Sequence, residues 1–151
     1  MMRRVSRHSI EHVCFVIRSL GSGGSERQLA ELVRGLSEAG KRSTVVTFYP
    51  GGIYEAAIQS IPGVTVHCLQ KSGRWDVVGF GMRFWRYIST LDADIFYSFL
   101  TGANILLAVA KIFDSKMTVC WGVRGSAFQK SKFERLITVL DWLESNMQKK
   151  E

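Results

Sequence analysis

The stretch His12-Val13-Cys14-Phe15-Val16-Ile17-Arg18, then Gly21-Ser22-Gly23-Gly24-Ser25-Glu26-Arg27, then Gln28-Leu29-Ala30-Glu31-Leu32 decides the fold. Its first part is an unbroken apolar run rich in β-branched residues, the pattern of a parallel strand covered on both faces. Its second part holds too many glycines for a strand or a helix and reads as a loop. Its third part belongs to an amphipathic helix over about residues 26–39. Leu29, Leu32, Val33 and Leu36 make the apolar stripe, and Gly40 supplies the stop.

The same alternation continues outward. Residues 44–49 (TVVTFY) read as a second strand, ended by the turn Pro50-Gly51-Gly52. A short helix over 53–60 and the turn Pro62-Gly63 lead to a third strand at 64–69. A longer helix is expected over 75–91, with Val77, Gly81, Phe84, Ile88 and Leu91 on one face, widened by Val78 and Trp85. A fourth strand at 94–99, an apolar helix at 103–113 and a fifth strand at 117–121 follow. A last helix spans about 130–147, with Phe133, Leu136, Ile137, Leu140 and Leu143 in register. Strands alternating with helices imply an α/β fold: a Rossmann-like, doubly wound, mainly parallel sheet with helices on both faces.

The chain has 151 residues, 46% of them hydrophobic, which fits one globular domain and excludes disorder as a whole-chain reading. Residues 1–11 read as a basic N-terminal tail and 12–148 as the domain. The net charge of +7 comes from 20 Lys and Arg against 13 Asp and Glu, and it points to an anionic partner. Much of it sits at the ends, in Arg3, Arg4, Arg7, Lys149 and Lys150, where solvated tails are the plainer reading. Nucleic acid is not expected as a partner, because no helix-turn-helix, RRM or zinc motif appears. Cys14, Cys68 and Cys120 each lie in an apolar run, as buried thiols of a reducing compartment do. No Cys-x-x-Cys or Cys/His cluster occurs, so no metal is expected. The apolar run 13–17 is too short for a signal peptide. The stretch 95–113 is broken by Ser98, Thr101, Gly102, Asn104 and Lys111, so it reads as strand, loop and buried helix rather than a membrane span.

In open α/β sheets ligands sit beyond the carboxyl ends of the strands, which directs attention to the first loop. Glycines there let a ligand approach the backbone, and the free amides opening the next helix favour an anion. A tight turn capped by Ser25 explains the same residues without a ligand. A dinucleotide fingerprint is disfavoured, because Gly21-x-Gly23 is followed by Glu26 where a third glycine is required. A P-loop is disfavoured because no lysine follows the glycines.

The strand, the Gly23-Gly24-Ser25-Glu26-Arg27 loop and the helix beginning Gln28-Leu29-Ala30-Glu31-Leu32 resemble the N-terminal domain of family-4 retaining glycosyltransferases of the GT-B fold. The family's usual loop is GGAER, and Ser25 replaces the alanine. Lys41-Arg42-Ser43 stands where that family commonly has Gly-His-x. The fourth strand, Asn104 with its helix, and the loop Trp121-Gly122-Val123-Arg124-Gly125-Ser126 continue the resemblance, which covers about residues 12–147.

The resemblance implies transfer of a hexosyl group from a nucleotide sugar, as co-substrate, to a glycan or lipid-linked acceptor. It implies no resident cofactor and identifies no catalytic residue in this half. Gly23 and Gly24 would offer amides to the departing phosphate, with Ser25, Glu26, Arg27, Asn104 and Arg124 as further substrate or phosphate contacts. Glu26 equally suits the helix dipole, Asn104 equally suits a helix cap, and Arg124 stands where many members carry a histidine. The family's Glu-x7-Glu pair belongs to a C-terminal donor domain. Glu134 and Glu144 share one helix at the wrong spacing, so the donor domain is expected to be absent and the chain alone to be inactive. A separate donor-domain chain is one expected partner, and an anionic membrane surface another. The implied location is the cytoplasm, with peripheral contact at the inner face of the membrane. A non-catalytic module that binds anions or a membrane surface is the alternative. His67 and His12 read as structural, and Ser126 lacks partners for a nucleophile. Trp75, Trp85 and Trp142 read as packing residues, and Trp121 as the one tryptophan placed near a site.

Overall fold

A computed structural model describes residues 9–73 and 75–122 of the chain. The expected helix over 130–147, residues 1–8 of the basic tail and residues 123–126 of the Arg124 loop lie outside the described residues. Five strands form one sheet: β1 (His12–Ile17), β2 (Arg42–Thr47), β3 (Val64–Cys68), β4 (Ile95–Phe99) and β5 (Val119–Gly122). They are joined by α1 (Gly24–Glu38), α2 (Glu55–Gln59), α3 (Val77–Ile88) and α4 (Leu100–Phe113). The order is β3-β2-β1-β4-β5 and every pairing is parallel. This is the Rossmann-like α/β fold that the alternation implied.

β1 is the centre of the sheet, with all six residues buried. Phe15 pairs with Val45 on one side and Tyr97 on the other. The two-residue period of a strand splits its side chains between two cores. Cys14 and Val16 face α3 and α4, packing with Phe84, Ile88 and Leu107. Val13, Phe15 and Ile17 face α1 and α2, packing with Leu29, Val33 and Ile58.

The amino ends of the strands are locked by polar contacts. Asp94 Oδ2 accepts hydrogen bonds from the amides of Glu11 and His12, at 2.8 and 2.9 Å. The buried His12 ring lies 2.8 Å from both Asp92 O and Thr44 Oγ1, a structural role that leaves it no part in a triad.

Several expected boundaries and faces shift. α1 begins at Gly24, with Gly23 as its cap, so Ser25 stands in the first turn and does not cap. Leu32 is 40% exposed, because Ala30 lets α1 close against the sheet on its own side and turns Leu32 to the rim. In α3 the buried residues are Phe80, Phe84 and Ile88, one ridge at four-residue spacing. Val77, Val78 and Trp75 are exposed instead. α4 begins at Leu100, three residues early, so Asn104 lies in its second turn and caps nothing. The expected membrane-length stretch is β4 followed by a 14-residue helix. No helix among the described residues is long and apolar enough to cross a membrane.

Candidate functional site at the sheet crest

All strands run the same way, so their carboxyl ends form one crest. β1 and β4 are neighbours, yet α1 leaves β1 for one face and α4 leaves β4 for the other. Loops that depart to opposite faces from neighbouring strands mark the place where this architecture usually binds its ligand, beyond the carboxyl ends of β1 and β4.

The β1 side of the crest is built on a fixed backbone. Arg18 O accepts the amides of Phe48 and Tyr49, at 3.0 and 3.1 Å, and the Arg18 guanidinium lies over the Tyr49 ring. Leu20 is fully buried and its carbonyl accepts the Tyr54 amide at 3.1 Å. Gly52, at φ 133°, lies against that carbonyl so closely that a Cβ on it would stand 2.1 Å from Leu20 O. The turn Pro50-Gly51-Gly52, expected only to end β2, is therefore the floor under the first loop. The signal was present in sequence as two consecutive glycines after a proline.

On this support the chain enters α1 through Gly23, at φ −78° and ψ 167°. No side chain caps the helix, so among the described residues nothing accepts from the amides of Gly24, Ser25 and Glu26. Gly24 is exposed and has open space where a Cβ would point. Amides without an acceptor at a helix start, beside the positive end of the helix dipole, are an arrangement that favours an anion. The Glu26 carboxylate folds back beside the Gly23 α-carbon and accepts a bond from Ser25 Oγ at 2.7 Å. That position suits a carboxylate near a helix start, and an incoming anion must displace it. Arg27 is exposed on the same turn. Gly23, Gly24, Ser25, Glu26 and Arg27 are thus brought together.

The β4 side turns sharply. Leu100 adopts φ 69°, a left-handed conformation that is strained for a branched residue. Beneath this turn Ser98 Oγ donates to Asn104 Oδ1 at 2.7 Å, and both residues are buried. Asn104 is therefore buried beneath the turn and held by Ser98. In sequence Ser98 reads only as a break in an apolar stretch, although one hydroxyl inside an apolar strand is a signal for a buried polar partner. Gly122 packs against Ser98 O, where a Cβ would come within 3.0 Å, so β5 closes tightly on β4. Arg124 lies outside the described residues. The three cysteines are unpaired, and burial pushes the Cys14 thiol up to about 12, which makes it an inert core group.

Comparison with known proteins adds to this geometry. The sequence profile described as Glycosyltransferase Family 4 matches residues 22–146. No curated protein matches the chain. Two crystal structures of the C-terminal domain of a hydrogenase from Pyrococcus furiosus, spanning its residues 78–226 and 83–215, are similar in fold. They share 10% and 13% identity, cover 75% and 78% of this chain and 91% and 97% of their own, and give TM-scores of 0.53 and 0.51. Identity that low speaks to the fold alone. The family profile spans most of the sequence and includes the glycine loop, and on that match the chain belongs to Glycosyltransferase Family 4.

Proposed function

We propose that the chain forms the acceptor-side domain of a retaining glycosyltransferase. It would act in hexosyl transfer from a nucleotide sugar to a glycan or lipid-linked acceptor, in polysaccharide synthesis at the cytoplasmic side of a membrane. The observation that carries this reading is the uncapped amide cluster of Gly24, Ser25 and Glu26 at the carboxyl end of β1, inside the family match. The unpaired cysteines support a reducing compartment.

The chemistry follows from charge. As the bond from the sugar's anomeric carbon to the leaving phosphate oxygen breaks, that oxygen gains negative charge. Fixed amides aimed at it stabilise the charge without reorganising, which lowers the barrier. The acceptor hydroxyl forms the new bond to the anomeric carbon and passes its proton to the departing phosphate oxygen. A donor-binding domain opposite the crest would hold the nucleotide, and domain 12–148 would present the acceptor.

Gly24→Asp tests this reading. The substitution meets open space and adds a carboxylate near the helix start, so α1 keeps or gains stability. It also puts the wrong charge where the anion would bind. The assay follows label from nucleotide sugars onto glycan and lipid-linked acceptors, for the chain alone and with a donor-binding domain supplied. Transfer that needs the donor domain and falls at least about a hundredfold in Gly24→Asp is expected, as on losing oxyanion donors. Equal transfer by both chains contradicts the reading.

One observation favours the non-catalytic alternative. α3 and α4 leave an apolar groove of about 310 Å³ lined by Val78, Met82, Trp85, Val109 and Phe113. Met82, Val78 and Phe113 are 60–74% exposed, and the chain is basic, as a protein resting on an anionic membrane would be. Sedimentation with anionic vesicles at low and high salt separates the readings. Salt-sensitive binding that Met82→Ser with Phe113→Ser abolishes supports the membrane reading.

A further inference from the structure

A second cleft lies away from the glycine loop, at the free edge of the sheet. It holds about 520 Å³ between the carboxyl end of β3 and the outer side of α3. Its walls include His67, Gln70, Ser72, Arg83, Arg86 and Tyr87, and among the described residues the nearest carboxylate, Asp76, is held by Ser72 and Arg83. Arg83 is engaged by Asp76, which also accepts from the amide and hydroxyl of Ser72. That ion pair holds the Asp76 carboxyl below its ordinary range and keeps Arg83 at the rim of the cleft. Arg86 is exposed and, among the described residues, has no ion-pair partner.

The back wall is flat and polar. The His67 and Tyr87 rings stack at 3.7 Å with their planes 7° apart. Burial lowers the His67 pKa, which favours the uncharged ring with one donor and one acceptor. Gln70 adds an amide at a left-handed turn, φ 48°. The space suits a small molecule and far exceeds a bare phosphate. An unpaired guanidinium calls for an acid group. Neutral imidazole, carboxamide and hydroxyl groups beside it call for neighbouring hydroxyls.

We propose that this β3–α3 cleft binds a saccharide carrying a phosphate or carboxylate, with Arg86 on the acid group and His67 and Gln70 facing the hydroxyls. The inference rests on the acceptor-side reading when it takes this saccharide to be the acceptor, or the acid-bearing end of it. β3 stands two strands from β1, and two inter-strand spacings place the cleft roughly 10 Å across the crest from the glycine loop. An acceptor anchored at the edge would extend from there toward the reacting sugar.

The test is a titration of the ¹⁵N-labelled chain with glucose 6-phosphate, glucuronic acid, glucose, inorganic phosphate and, separately, pyrophosphate. Amide resonances of residues 67–72 are expected to shift saturably with the two acidic sugars and not with glucose. Arg86→Gln, at an exposed site, is expected to keep the melting temperature and weaken both by about tenfold, while Arg86→Lys retains most of the affinity. No shift with either acidic sugar, or unchanged affinity in Arg86→Gln, overturns the site. Phosphate binding as tightly as glucose 6-phosphate overturns the saccharide assignment. Resonances of Gly24, Ser25 and Glu26 report separately. If they ignore pyrophosphate while the β3 edge answers the sugars, the edge site stands and its role as acceptor site falls. The opposite pattern removes the edge site alone.

Discussion

Gly23 and Gly52 stand close in the chain's first two crest loops and tolerate change very differently. A Cβ on Gly23 would meet only the Glu26 carboxylate, the free end of a flexible side chain, and the Gly23 backbone suits any residue. A Cβ on Gly52 would strike the Leu20 carbonyl, at a φ that side chains avoid. Gly23→Ala is therefore expected to cost about 1 kcal/mol or less. Gly52→Ala is expected to cost more than about 2 kcal/mol and to displace the first loop. Urea denaturation of the two variants checks the contrast, and equal costs would contradict the packing of the Pro50 turn under Leu20. Sequence identified the glycines of the first loop because they cluster before an apolar helix. It did not identify Gly52 as their support, because a contact between two loops has no local pattern.

At the scale of elements, strands were legible because each buried strand is a short apolar run, and helices because their stripes recur every three or four residues. Faces and first turns were less legible. Gly24 and the Thr101-Gly102 pair have poor helical propensity, yet both begin helices, because Gly23 and the left-handed Leu100 set the direction of the chain. In α3 the sheet selects the Phe80–Phe84–Ile88 ridge over the one containing Val77. Phe84→Ala is accordingly expected to destabilise by about 3–5 kcal/mol in chemical denaturation. Val78→Ala, on the exposed side, is expected to cost under about 0.5 kcal/mol.

The start of β1 gives a prediction in pH. The amides of Glu11 and His12 hold the Asp94 carboxyl below its ordinary value. A lowered carboxyl contributes stability above its unfolded-state value and loses it as the pH falls through its folded value. Wild type should therefore lose stability on acidification below the ordinary carboxylate range. Asp94→Asn should be less stable at pH 7 and lose less on the same descent. Parallel pH slopes for the two proteins would show that Asp94 does not carry the effect.

For the whole molecule, the sheet order, the opposed departures of α1 and α4 and the family match converge on one crest. The parallel, doubly wound character was legible from alternation alone, whereas the order β3-β2-β1-β4-β5 came only from the structure, because alternation does not say which strands pair. The buried Ser98–Asn104 pair was not legible either, because sequence shows a polar residue near a strand end without showing whether it looks out or in. The central claim is that the amides opening α1 receive the phosphate oxygens of a nucleotide sugar. The most direct measurement is a pyrophosphate titration of the ¹⁵N-labelled chain at low salt, repeated on Gly24→Asp. Saturable shifts of Gly24, Ser25 and Glu26 that vanish in the variant are predicted, while resonances that stay still, or shift alike in both proteins, would contradict the claim.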